Sequence, residues 1–254
     1  MASAAEKLAE SLEVISDLQS KGVIAIRSTN LTRTHRERLL KAGFIKEVIK
    51  GWYIMSRPDE RVGESTAWYT SFWGFCAQYL SDRFGEDWSL SPEQSLKLHA
   101  GDTAVPVQLL VRAPKAGNMK TDFPHKTSIF ETRATFAMGD ALVVKDGLRL
   151  FSIEEALIRV PENFFKQNAT DARTILAIIP DASALLARLL EGGHTSAAGR
   201  LAGAFRSIGK TRIADEIVST MKAASHDVRM SDPFAESVTV LNARRETSPH
   251  VHRI

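Results

Sequence analysis

The stretch 22–55, GVIAIRSTNLTRTHRERLLKAGFIKEVIKGWYIM, constrains the fold more than any other part of the chain. Residues 32–42 are rich in helix formers, with Leu39 and Leu40 expected inward and Arg33, Arg36, Arg38 and Lys41 expected toward solvent. Gly43 follows where a helix commonly ends in a left-handed residue. Residues 44–48 and 52–54 read as two short strands. Between them Ile49-Lys50-Gly51 supplies a tight turn, with a basic residue beside the glycine that a hairpin needs. The pattern is that of a DNA-reading helix followed by a two-stranded wing.

Charge points the same way. Between Arg27 and Lys50 seven Lys/Arg (Arg27, Arg33, Arg36, Arg38, Lys41, Lys46, Lys50) stand against two acids, Glu37 and Glu47. That local balance of +5 exceeds the +3 of the whole chain, so the basic excess is concentrated here. Such an excess is the footprint of a phosphate-bearing partner, although charged helix faces are commonly just solvated. Ser28, Thr29, Asn30, Thr32 and Thr34 add short hydrogen-bonding side chains suited to phosphate oxygens.

With 254 residues the chain has room for two domains. Its 44% hydrophobic and 25% charged residues are an ordinary globular balance. No apolar run nears the roughly 20 residues of a membrane span. The early acids of the N-terminus do not fit a secretory signal. Cys76 is the only cysteine, which excludes an internal disulfide and a cysteine-based zinc site. Its setting is that of an inert core thiol, and a reducing cytoplasm is the expected compartment.

Along the chain, residues 4–20 carry Leu8, Leu12, Ile15 and Leu18 at helical spacing. Residues 23–26 form an apolar run too short for periodicity to separate strand from helix. Helix, short element, helix and hairpin make up a winged helix-turn-helix. The break at Ser56-Arg57-Pro58-Asp59 reads as a linker. A helix is expected over 64–84, whose aromatic stripe belongs to a core. Another follows to about His99, with Ser91 as cap and Pro92 in its first turn. Strands are expected at 105–111, 126–130, 134–136, 141–144 and 148–151, the last pair joined through Asp146-Gly147. Helices then follow at about 153–160, 170–179, 182–190, 196–208 and 211–223. The first opens on a capping box of Ser152 and Glu155. Small residues at 197–205 would let neighbours approach closely. The expected fold class is α+β. It comprises a winged helix at 1–60, a mixed domain at 64–226 with a small, mostly antiparallel sheet and a helical half, and a polar tail at 227–254.

No catalytic constellation stands out. Residues 203–211 imitate a phosphate loop, but five residues instead of four separate Gly203 from Gly209 and the preceding stretch is helical by pattern. Gly209 reads better as a helix stop and Thr211 as the next cap. No Gly-x-Ser-x-Gly elbow and no His-Glu-x-x-His is present. Asp102 lacks the carboxylate-x-Lys that a nuclease-like metal site would place on the next strand. His250 and His252 lie in the tail. His35 would either touch DNA or pack. The expectation is a non-enzyme with no cofactor and no metal.

The segment LLKAGFIKEVIKGWYIM resembles the N-terminal winged helix of AbiEi-type antitoxins of type IV toxin–antitoxin systems. Their pattern of a helix ending near Ala-Gly, an apolar strand, a basic turn with Gly and an aromatic strand is matched by Leu40-Lys41-Ala42-Gly43-Phe44-Ile45 and Lys50-Gly51-Trp52-Tyr53. Leu150-Phe151-Ser152-Ile153-Glu154-Glu155-Ala156-Leu157 is similar to the strand-then-helix step of that family's second domain. The chain also resembles the region preceding the Fic domain of some bacterial Fic-type proteins. It has only Asp232-Pro233-Phe234 in place of their His-Pro-Phe and lacks the Gly-Asn-Gly-Arg loop, so the AMP-transfer centre is missing.

The antitoxin resemblance implies a bacterial regulator that represses its own promoter and neutralises a nucleotidyltransferase-like toxin. The expected partners are double-stranded DNA and a cognate toxin, with no membrane. Arg33, Thr34 and Arg38 are the expected base-reading residues, with Arg36 and Lys41 nearer phosphate. Arg27, Thr29, Asn30, Lys46 and Lys50 are the expected phosphate contacts, and six or so neutralised phosphates imply a fall in affinity of about 10³-fold from 50 to 200 mM salt. The rival is a non-catalytic regulatory or protein-interaction module, or the N-terminal part of a Fic-type AMP-transferase.

Overall fold

A computed structural model describes residues 3–61, 63–135 and 139–235. The chain opens on helix α1 (Ala4–Ser20), which starts where a capping box does. The Ser3 hydroxyl accepts from the Glu6 N–H at 3.2 Å and the Glu6 carboxylate accepts from the Ser3 N–H at 2.7 Å. Strand β1 (Ile26–Arg27), a 3-10 turn (Ser28–Asn30), helix α2 (Arg33–Lys41) and the hairpin β2 (Ile45–Ile49) and β3 (Trp52–Met55) complete a winged helix-turn-helix. The ambiguous run at 23–26 thus ends in a strand, and the second helix of the motif is reduced to one 3-10 turn. The sheet order is β1-β3-β2, antiparallel throughout.

This sheet is buried on both faces. Ile26, Ile45 and Tyr53 point toward α1 and α2, where they meet Ile15, Leu18 and Leu39. Ala25, Val48 and Ile54 point the other way, with Trp52 beside them, onto the aromatic helix α3 (Thr66–Phe84). Alternation along a strand explains the continuous apolar sequence Trp52-Tyr53-Ile54-Met55: each residue serves one of two covered faces. The Trp52 ring stands edge-on to Tyr79 at 5.3 Å and to Phe75 at 6.2 Å. Gln78 of α3 acts as a surrogate strand. Its Oε1 accepts from the N–H groups of Ile24 and Ala25, both at 2.8 Å, and its Nε2 donates to the Gly22 carbonyl at 2.7 Å. The residues on either side of position 60 therefore share one core. Within it Trp68, Phe72, Phe75 and Tyr79 are buried, as is Cys76, whose thiol burial pushes up.

Beyond α3 the chain forms β4 (Ser89–Leu90), helix α4 (Pro92–Ala100) capped by Ser91, then β5 (Gln108–Ala113), β6 (Met119–Asp122) and β7 (Ser128–Arg133). Their sheet runs β4-β5-β7-β6. Only the β5–β7 pair is parallel. Strand β5 starts two residues after Pro106, later than the sequence pattern places it, and β4 and β6 are not anticipated. Of the strand expected at 134–136, residues 134 and 135 are irregular and 136 lies outside the described residues. The hairpin β8 (Leu142–Lys145) and β9 (Leu148–Phe151) turns on Asp146 and Gly147, both at positive φ (51° and 78°).

The helical half comprises α5 (Ile153–Arg159), α6 (Glu162–Gln167), α7 (Ala169–Ile178), α8 (Ser183–Glu191), α9 (Thr195–Ser207) and α10 (Thr211–Ala223) around one apolar core. Helix α6 is not anticipated. The Ser152 hydroxyl caps α5, but the Glu155 carboxylate pairs with Arg159 and Arg188. Lys210, not Thr211, is the residue before α10. Its ammonium donates to the carbonyls of Ala177 and Ile179, both at 2.6 Å. Of the expected polar tail, residues 229–232 lie on α9, Phe234 packs on Phe165 and Arg173, and Val228 is buried. A Cβ on Gly199 or Gly203 would fall 1.9 Å from the Arg229 carbonyl oxygen or 1.8 Å from that of Ser231. The small residues of α9 thus admit a backbone directly. His250 and His252 lie outside the described residues.

Candidate nucleic-acid interface

Helix α2 begins at Thr32, whose hydroxyl accepts from the His35 N–H at 3.3 Å. It ends as Gly43 turns to φ +77°. One side docks on α1. Leu39 is fully buried there, and at the crossing the small, buried Ser11 lets the two helices approach. The Ser11 hydroxyl lies 2.9 Å from His35 Nδ1 and 2.8 Å from the Arg38 guanidinium, which also donates to the Lys7 carbonyl. His35 therefore packs. Arg38 is half-buried and turned toward α1, away from the side that carries Arg33 and Thr34. With about 100° between successive residues, positions 33, 34, 37, 40 and 41 fall on the opposite side, and all five are exposed. Leu40 belongs to this outer face at 38% exposure, not inward as expected.

The outer face carries Arg33, Thr34 and Lys41 around a central Glu37. Arg33 Nε and Glu37 Oε1 are 2.6 Å apart, one helical turn removed, with both side chains mostly in solvent. The hydrogen bond and charge of Arg33 hold the Glu37 carboxyl below its usual range. Because α2 and α3 cover opposite faces of the wing sheet, α3 does not block this side. Lys41 has no acidic partner among the described residues.

The wing lies beside it. Ile49 pairs with Trp52, so Lys50 and Gly51 alone form the tip, with Gly51 at φ +82°. Lys50 is exposed there and unpaired among the described residues. The Ser28 N–H donates to the Gly51 carbonyl at 2.8 Å, and Arg36 Nη1 reaches the Ser28 carbonyl at 3.3 Å. The 3-10 turn, the wing tip and the flank of α2 are thereby joined, with Thr29 exposed on the turn. Behind them burial, and then the Glu47 carboxylate, push the Tyr53 hydroxyl up.

The other expected contacts have intramolecular partners. Arg27 lies over the Trp52 ring at 5.2 Å and pairs with Asp82 of α3 at 2.6 Å. The Asn30 side chain accepts from the Arg27 N–H at 2.7 Å, and Thr32 is occupied as a cap. Lys46 points to the linker, where its ammonium is 2.6 Å from the Glu60 carboxylate. Glu60 also accepts from Ser56 Oγ at 2.6 Å and from the Ala67 N–H in the first turn of α3. Arg27, Asn30 and Lys46 thus already have partners within the chain while staying partly exposed. Glu37 is the residue the sequence reading passed over. Its signal was present, an acid four residues after Arg33 and four before Lys41.

No protein-family model matches the chain, and no curated protein sequence matches it. Among solved structures, the chain is similar to the RV2827C protein from Mycobacterium tuberculosis, with a TM-score of 0.50 and 15% identity over 86% of this chain and 81% of that one. At that identity the likeness is one of fold. No helix of the described residues is long and apolar enough to cross a membrane.

Proposed function

We propose that the protein is a cytoplasmic bacterial DNA-binding regulator of the toxin–antitoxin kind that binds its own promoter. The observation that carries the DNA part is the outer face of α2. Arg33, Thr34 and Lys41 lie on the side opposite the α1 contact, next to a wing tip carrying Lys50. A helix of this size fits the major groove, and on this reading the tip meets the adjoining backbone. The toxin part rests on the AbiEi resemblance: the second domain would bind and neutralise a nucleotidyltransferase-like toxin. No chemistry on DNA is assigned to the chain. A mobility shift with the region upstream of its own gene tests the DNA part. The proposal expects a complex at 50 mM salt, weakened by Arg33→Ala and Lys41→Ala, and absence of a complex rejects it.

A second reading, a regulatory or interaction module with no DNA role, is favoured by one observation. Five of the seven cations, Arg27, Arg33, Arg36, Arg38 and Lys46, already have partners within the molecule. Under that reading the winged helix is a scaffold and Arg33→Ala changes nothing in the same assay.

A further inference from the structure

We infer that Glu37 is a specificity-determining residue that, together with Arg33, reads a cytosine and a guanine in neighbouring base pairs of the bound duplex. This rests on the DNA reading above. Glu37 sits at the centre of the outer face of α2, flanked one turn away on each side by Arg33 and Lys41. Its side chain is 60% exposed and, among the described residues, its hydrogen bond is to Arg33. An acid in the middle of a surface meant only for phosphates works against binding, because a carboxylate has no donor to offer a phosphate oxygen and repels its charge. In the major groove its best partner is the exocyclic amino group of cytosine, because the amino group of adenine lies beside the N7 acceptor, which repels a carboxylate, while arginine takes the O6 and N7 acceptors of guanine. One helical turn, about 5.4 Å, separates the two side chains, against about 3.4 Å per base pair. They therefore fall on adjacent or next-but-one pairs.

The ion pair has a role before contact. It holds the two side chains next to each other, with Arg33 Nε 2.6 Å from Glu37 Oε1, so that less freedom is lost when they enter the groove. It also penalises the wrong duplex: where no cytosine amino group meets Glu37, the carboxylate is left facing acceptors. An acid here thus trades general affinity for discrimination. The bland competitor is an exposed helix ion pair that contributes a few tenths of a kcal/mol and nothing else.

The test is affinity selection from a random duplex library by the full-length protein, wild type against Glu37→Gln, Glu37→Ala and Arg33→Ala, followed by titration of the selected duplexes. Glu37 is exposed, and circular dichroism confirms that each variant is folded. The inference expects a wild-type preference for C and G within two base pairs, about tenfold at the cytosine position. Glu37→Gln should move that position toward adenine, which glutamine recognises. Glu37→Ala should lose the preference while binding unrelated DNA at least as tightly. If both Glu37 variants select the wild-type sequence, the inference is overturned while the DNA reading stands. If the wild type binds no duplex at 50 mM salt, the DNA reading fails and this inference with it.

Discussion

Arg27 Nη1 and Asp82 Oδ1 are 2.6 Å apart, and they tie the first strand of the wing sheet to the aromatic helix that covers it. The pair lies 55 residues apart in sequence, and the Arg27 guanidinium also rests on Trp52. A cation that the sequence offers to a phosphate is used to fix the winged helix on the second domain. Asp82→Asn should release it. The half-exposed pair contributes at most about 1 kcal/mol, so the expected loss of stability in a denaturant titration is of that size. Binding to nonspecific duplex should strengthen a few-fold, because a cation is freed and an acid removed.

Arg33 and Arg38 are five residues apart and should behave oppositely. Arg38→Ala removes bonds to the Lys7 carbonyl and the Ser11 hydroxyl at the α1–α2 crossing. It should cost about 1–2 kcal/mol of stability. Arg33→Ala touches only an exposed pair and should leave stability within about 0.5 kcal/mol, while weakening duplex binding about tenfold. Urea melts and binding titrations on the same two variants check both halves.

Glu60 gathers Lys46, Ser56 and the first turn of α3, and these hydrogen bonds hold its carboxyl below the usual glutamate range. A carboxyl whose native pKa lies below its unfolded value stabilises the fold above the unfolded value, about 4.3, and the contribution is lost as pH falls through the native value. Glu60→Gln should therefore be less stable than wild type at neutral pH, with the difference shrinking as pH is lowered through and below about 4. Melting temperatures of both proteins between pH 7 and pH 3 would show this. A constant difference across that range would contradict it.

Gly199→Ala and Gly203→Ala each force a Cβ into a backbone carbonyl of the segment lying on α9. Overpacking of this kind costs about 1–3 kcal/mol. Both variants should melt lower than wild type and expose residues 229–232 to protease, because the added methyl displaces that backbone from α9.

The elements that declared themselves in the sequence are those with long periodicity or an obligatory glycine. Helix α1 is placed to the residue, α2 to within one, and the wing follows from Gly43 and Gly51. Strand β6, Met119-Lys120-Thr121-Asp122, has no apolar alternation to reveal it, and α6 is too short to show a face. The site was half legible for a related reason. Helical spacing separates Arg33, Thr34 and Lys41 from Leu39, but which flank α1 would cover is decided by Ser11, more than twenty residues earlier. The acids that take up Arg27 and Lys46 stand in α3 and in the linker, where no local spacing announces them.

The outer face of α2, its flank and the wing tip present Arg33, Arg36, Lys41 and Lys50; with Arg33 assigned to a base, three cations are left for phosphates, fewer than the sequence alone suggested. The most direct measurement is the salt dependence of binding to the upstream region of its own gene. Three neutralised phosphates predict a loss of affinity of about 40-fold between 50 and 200 mM salt, with the slope reduced by about one for Lys50→Ala. A complex whose affinity is unchanged across that range, or no complex at its low end, would contradict the account.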